Sequence, residues 1–502
     1  SVDNFPNGLS RFSNRDFADI LQTEIVNDIK YNFDKSWTQR ELRNALYSEA
    51  VRPNMPGALL ELLSHQNLFD MEFALDPRFK HCVSRAIYKA ILKFITSSSN
   101  DEYVVSPLPI KQFRIEQTSD SSFKLLWTKT IDPLESTAEP SGYIVYTRLN
   151  DNGFDNGFLT PNNTIEVTDI IKDSIYSFKV TAVNEGGESM PSEILSASIS
   201  SRSNSKLLVV NAFDRIAAPQ AIKTEKFSGF VDEYDQGVPH GIDFSYVGSQ
   251  YDFSPNSEFI SNDMPGHGAS NSNFETELIL GNNFDFTYIH GKSLNNLGYS
   301  FVSSSDEAIE DGLVKLSNYS FVDFIFGEEK STPWVRSDFD SLNGIQFTTF
   351  TEKLKSVISN YLNKNGNIFL SGAYIASDPL LNRADSIKNS KFIHNLLRYN
   401  IASPKASKTG SVESFSSEVS FPKIKFNTEY REDYYCVESP DGLIPMNGSL
   451  PILKYNENNI IAGTLYKNEY GVVSFGFPFE TIIGQQNRDD VMRKILELLK
   501  IN

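Results

Sequence analysis

Along the chain the spacing of apolar positions changes several times, and each change marks a different kind of element. Residues 14–30, NRDFADILQTEIVNDIK, place Ala18, Leu21, Ile25 and Ile29 on one stripe. That period predicts an amphipathic helix, with Ser13 as N-cap and Asp16 standing for the capping-box acid. Beyond Trp37 the chain is polar as far as Tyr47. The continuous run Ala58, Leu59, Leu60, Leu62 and Leu63, introduced by Pro56-Gly57, then predicts a buried strand within 54–67. A second helix is expected over 77–95. Asp76 caps it, Pro77 suits its first turn, and Phe79, Val83, Ala86, Ala90 and Phe94 share its inner face. Arg78, Lys80, Arg85, Lys89 and Lys93 line the opposite face, which reads as solvated.

From residue 106 the period drops to two. Strands are expected around Trp127 (LLWTK), over 142–146 (GYIVY) and over 176–184 (YSFKVTAVN), the last with Phe178, Val180 and Ala182 facing inward. From 206, where the first run is short and apolar, strand-like runs alternate with helical ones. Strands fall at 206–213, 299–303, 321–326, 367–370, 460–465 and 471–475, and helices at 306–316, 350–362, 391–399 and 488–499. Strand-helix-strand alternation opened by an apolar strand predicts an open α/β sheet. Polar linkers at 96–100 and 200–205 divide the chain into 1–98, 106–199 and 206–502. An insertion at 219–284, rich in Asn, Ser and Gly, carries Pro265-Gly266-His267-Gly268, a turn sequence before it is a ligand site.

Composition narrows the partners. A net charge of -18 over 502 residues lacks the basic footprint that nucleic acid or an anionic membrane surface demands. No apolar run approaches the roughly 18 residues of a membrane span, and the opening SVDNFPNGLS has no signal-peptide pattern. Two cysteines, Cys82 and Cys436, fall in different domains and exclude a disulfide framework; Cys82 reads as helix core and Cys436 as a strand residue. Few Cys beside many Tyr, Asn, Ser and Phe fit an exported chain, so the expected location is extracytoplasmic.

The first candidate for chemistry is Glu61, an acid inside an apolar run. A buried carboxylate needs a pair, hydrogen bonds or a metal; the alternative is a strand end with the carboxylate at the surface. The pattern Pro56, Ala58, Leu60, Glu61, Asn67, followed by a helix, resembles the C-terminal part of the zinc-dependent N-acetylmuramoyl-L-alanine amidases. Leu63 and Ser64 replace that family's usual Gly-Phe pair, and His65 is additional. The resemblance implies a partial α/β segment and a peptidoglycan hydrolase in which Glu61 handles protons beside zinc. Residues 1–53 contain no His, and His65 and His81 do not match the family's ligands, so the zinc ligands are expected outside this sequence.

Residues 106–198 resemble a fibronectin type III domain, with Tyr176 as its corner tyrosine. The third domain is similar in layout to the class I glutamine-amidotransferase-like fold. It lacks that fold's Cys nucleophile, and Ser371 in Leu370-Ser371-Gly372 stands without a Gly-x-Ser-x-Gly frame. Ligands of an open α/β sheet gather beyond the strands' carboxyl ends. Asp214, Arg215, Glu328, Glu329 and Glu480, with Arg488 near, are therefore the candidate binding residues for a cation or polar sugar, or else a salt-bridged structural cluster. The functions expected are peptidoglycan hydrolysis of the amidase type or, alternatively, non-catalytic glycan binding or scaffolding. A further alternative is association with exopolysaccharide (xanthan-type) lyases, for which the sequence shows no lyase constellation.

Overall fold

The computed structural model describes residues 4–99, 102–203, 205–243, 249–254, 256–257, 278–333, 345–381 and 386–501. In the first part, helices Ser13–Asn32, Leu68–Ala74 and Pro77–Ser99 enclose a core of Leu21, Ile25, Ile29, Phe33, Phe73, Phe79, Val83, Ala86 and Ala90. The helical stripes predicted this layer. Its caps differ in part: Asp76 Oδ1 accepts from the Arg78 backbone as expected, at 2.8 Å, whereas Phe12 occupies the N-cap of the first helix with no side-chain bond.

Two expectations for this part are corrected. Residues 54–67 form no strand. The run is extended but unpaired; Leu59 and Leu60 stay exposed, while Ala58, Leu62 and Leu63 lie half-buried against the helices. A strand must pair its backbone with a neighbour, and the described residues 4–99 offer none beyond one isolated Asn4–Ser10 bridge. The predicted partial α/β segment is therefore a helical layer with an apolar strap. The second correction concerns the basic face of Pro77–Ser99, which docks on the next domain. Lys89 is buried, with Nζ 2.7 Å from Asp28 and 3.1 Å from Glu135. Arg85 pairs with Asp132 at 2.7 Å and Lys93 with Glu135 at 3.0 Å. Burial alone would lower the Lys89 pKa, but Asp28 and Glu135 hold the amine charged and raise it.

The second part is a β-sandwich. Lys111–Ser119, Ser122–Thr128 and Thr164–Val167 make one sheet. Phe158–Thr160, Gly142–Leu149, Ile175–Asn184 and Leu195–Ser198 make the other. Phe113, Phe123, Leu125, Trp127, Phe178, Val180 and Ala182 fill the space between. The Tyr176 hydroxyl accepts from the Ile171 backbone at 3.1 Å, the corner bond its position predicts.

In the third part five parallel strands stand in the order Ser300–Ser305, Lys206–Asn211, Phe321–Gly327, Asn367–Gly372, Gly471–Phe475, with Ile461–Lys467 antiparallel beyond them. Counting along the chain, this is the 2-1-3-4-5 order of doubly wound sheets. The Ser300 strand is buried along its whole length although four of its six residues are Ser. Its hydroxyls bond across to the sandwich: Ser303 Oγ receives the Ser196 N–H at 2.8 Å and donates to the Ser196 carbonyl at 2.7 Å. Phe301 also pairs with Ser198, so the sandwich covers what would be an open sheet edge. The helix expected over 306–316 stops at Glu310, because Gly312 turns with φ +72°. The 391–399 helix is replaced by Ser386–Phe392 and a wider turn, Ile393–Leu397. Phe286–Leu297 is a helix that the sequence pattern did not reveal. Cys436 lies in buried coil, not in a strand. His267 lies outside the described residues.

Candidate functional site

In a 2-1-3-4-5 sheet the chain reverses direction between its first and third strands, which leaves a crevice at their carboxyl ends. Here those ends are 212–215 and 327–330. Gly327 takes φ +44° and packs so close to the Phe213 ring that a Cβ would collide with it. This sharp exit brings Glu328 and Glu329 back over the first strand. Glu329 Oε2 accepts from the backbone of Asp214 at 2.9 Å and of Arg215 at 2.8 Å, tying the two loops together. Burial pushes the Glu329 carboxyl up to about 8, against the pull of those two donors.

Arg215 is buried and donates to Asp235 Oδ2 at 2.8 Å and to Thr332 Oγ1 at 3.0 Å. Lys330 reaches the same Asp235 oxygen at 2.7 Å and lies 4.8 Å from the centre of the Tyr374 ring. Burial would raise the Asp235 pKa, but the two cations hold it well below the usual carboxylate range. Tyr374 in turn donates to Glu438 Oε1 at 3.2 Å. Glu438 is within hydrogen-bonding reach of Glu328, and Glu328 Oε1 and Glu438 Oε2 find no donor elsewhere. Burial first, then the neighbouring Glu438, raise the Glu328 pKa well above normal; burial and Asp235 raise Glu438. Two carboxyls so close disfavour simultaneous ionisation. Glu328 is buried; Glu438 is half-buried as a residue, but its Oε2 is buried as well.

A second acidic group lies beside it. Asp306 and Glu307 follow the Ser300 strand directly and face Asp214, each offering one carboxylate oxygen within 4.8 Å of the others. Burial and mutual repulsion push Asp214 and Asp306 far up.

The expected convergence is thus met for Asp214, Arg215, Glu328 and Glu329. It fails for Glu480, which turns beneath the sheet: its carboxylate accepts from Tyr435 at 2.6 Å and stands 3.2 Å from His290 Nε2. Arg488 goes to the Ile482 carbonyl at 2.6 Å. The salt bridge of this cluster joins Arg215 to Asp235, a residue outside the expected set. Ser371 is fully buried with its Oγ unpartnered, and no His or acid among the described residues bonds it. Glu61, expected in a buried strand, lies exposed on unpaired coil. Asp306, Glu307 and Tyr374 were within reach of the same strand-end rule, whereas Asp235 and Glu438 sit in coil and carry no sequence signal.

Amidase-type zinc needs His nitrogens. None precede Glu61, and the three-carboxylate group is an all-oxygen set suited to calcium or magnesium, so the residues present do not fit zinc.

The sandwich geometry and its corner tyrosine agree with the comparison of sequences: residues 108–198 match the fibronectin type III domain model. This segment is a fibronectin type III domain. No curated protein matches the chain. Among solved structures, the twitchin kinase region from C. elegans is similar at 20% identity over 19% of this chain and 17% of that one, with a TM-score of 0.17. Domains d3–d4 of the rat CD45 extracellular region are similar at 18% identity over 19% and 50% of the two chains, also with a TM-score of 0.17. The chain therefore spans only a minor part of the first of these proteins. No helix of the described residues is long and apolar enough to cross a membrane.

Proposed function

We propose that the chain is an extracytoplasmic hydrolase of peptidoglycan that cleaves an amide bond, and that its chemistry belongs to the third domain rather than to Glu61. The observation that carries this reading is the Glu328–Glu438 pair, two neighbouring carboxyls whose ionised forms burial disfavours. Its spacing argues against a glycosidase, whose two carboxyls stand at least ~5 Å apart to admit a sugar or water between them. Carboxyls in hydrogen-bond contact instead suit amide hydrolysis, as in aspartic proteases. The ionised member takes a proton from the attacking water while the neutral one protonates the carbonyl oxygen. The C–O bond forms; as the C–N bond then breaks, the proton taken from water passes to the departing amine and the one lent to the carbonyl oxygen returns to its carboxylate. Arg215 and Lys330 keep Asp235 ionised beside the pair, and Tyr374 orients Glu438.

Purified peptidoglycan incubated with the full chain is expected to release free amino groups without new reducing ends. E328Q and E438Q are expected to lower that rate by at least about 100-fold, the usual weight of a general acid or base, while E61Q leaves it unchanged. Loss of activity in E61Q alone would return the chemistry to the first domain. Binding of the glycan without any release would support the second reading, a non-catalytic glycan-binding scaffold. That reading is favoured by the fibronectin domain being docked on both neighbours.

A further inference from the structure

The acidic group beside the dyad has no place in that chemistry. In the parallel register Ser305 stands opposite Asn211, so Asp306 and Glu307, just after the one, meet Asp214, three residues after the other. One oxygen from each of the three lies within 4.8 Å of the others. Ligand oxygens on opposite sides of a calcium ion are about 4.8 Å apart, twice a bond of roughly 2.4 Å, so one ion can touch all three.

A second observation points to the same ligand. Asn211 is only 1% exposed. Its amide nitrogen donates to Glu193 Oε2 at 2.7 Å, while its carbonyl oxygen Oδ1 is buried without any donor. Glu193 is an electrostatic neighbour of both Glu307 and Asp214 and Asn211 stands opposite Ser305, the residue before Asp306, so the Asn211 side chain lies beside the acidic group with its neutral oxygen still without a donor. Asp306 Oδ1 is buried without a partner as well. The nearby cations do not serve them, because Arg215 and Lys330 are both committed to Asp235.

We infer that Asp214, Asp306 and Glu307, completed by the Asn211 side-chain oxygen, form a binding site for a hard divalent cation, calcium first. The donors are all oxygen, without the His or Cys that would select zinc or copper. Glu307 is exposed and gives the ion a path from solvent. The bound ion fastens three separate pieces at the sheet's carboxyl edge: the loop after the first strand, the start of the helix after the second, and, through Asn211 and Glu193, the exit of the fibronectin domain.

The test is calcium titration of the full chain after EDTA treatment, followed by calorimetric binding and by thermal melting, with magnesium as a second probe. The expected result is one calcium bound per chain and a melting temperature raised by several degrees. D214N and D306N should abolish both effects, and E310Q, one turn away, should retain them. In EDTA the D306N chain should be at least as stable as the wild type, since a repelling charge is gone, so a lost calcium response there cannot be ascribed to misfolding. No binding of either ion at millimolar concentration would overturn the site, as would binding that survives in the D214N/D306N double variant.

Discussion

His290 is enclosed between Asp323, 2.8 Å from Nδ1, and Glu480, 3.2 Å from Nε2, and it packs on the Phe479 ring. Burial alone would lower its pKa; the two carboxylates reverse this and raise it to about 9. A His free in the unfolded chain titrates near 6.5. The folded state therefore holds its proton more tightly, giving stability that is complete below about pH 6.5 and is lost as pH climbs through about 9. At about 1.4 kcal/mol per tenfold change in proton affinity, the contribution is of order 3 kcal/mol. Urea melts of H290Q and wild type should show the wild-type advantage shrinking by that amount between pH 6 and pH 10; an advantage that stays flat across this range would contradict the assignment. At this scale the sequence revealed Asp214, Arg215, Glu328 and Glu329, because a polar residue just past an apolar parallel strand has one place to go. It misled at Glu480, where the chain bends under the sheet through Phe479–Thr481. It misled again at Glu61, where an apolar run suggested burial that no partner strand supplies.

Among the elements, the exit of the Phe321–Gly327 strand is the one on which the crevice depends. Gly327 combines a positive φ, at which an L side chain is strained, with contact against Phe213. In G327A the strain and overpacking add, each costing about 1–3 kcal/mol. The variant should lose roughly 2–6 kcal/mol in chemical denaturation, and the Glu329 contact to the first-strand loop with it. The strand itself was plain in the sequence, since six of its seven residues are Phe, Val, Ile or Gly, with Asp323 as the exception. The sharp turn was not, because a single Gly after a strand does not say what its backbone will approach. The helix at Phe286–Leu297 was hidden for a related reason. Its inner face is made of Thr287, His290, Gly291 and Ser293 as well as Phe286 and Leu294, so apolar periodicity barely registers it.

Across the whole molecule, the three parts are joined by buried polar contacts. Lys89 is the clearest of them, 2% exposed between Asp28 of its own layer and Glu135 of the fibronectin domain. Replacing it by Met keeps the volume but strands the buried Asp28 carboxylate, while Glu135 keeps Lys93, a loss of about 3–5 kcal/mol. K89M should therefore lower the denaturation midpoint and expose the 96–105 segment to limited proteolysis, and the double variant K89M/D28N should recover part of the loss. An unchanged midpoint and digestion pattern would mean that the layers do not depend on this contact. The sequence by itself determined the fibronectin domain with its inward Phe178, Val180 and Ala182 and the alternating α/β order of the third part, both of which rest on local periodicity. Tertiary structure alone decided that a basic helix face is an interface and that a serine-rich strand is buried. It also decided that Glu438 and Asp235, far apart in the chain, complete the site begun by Glu328 and Arg215. Periodicity is written in near neighbours, whereas the burial and pairing of a charge depend on groups that only folding brings together.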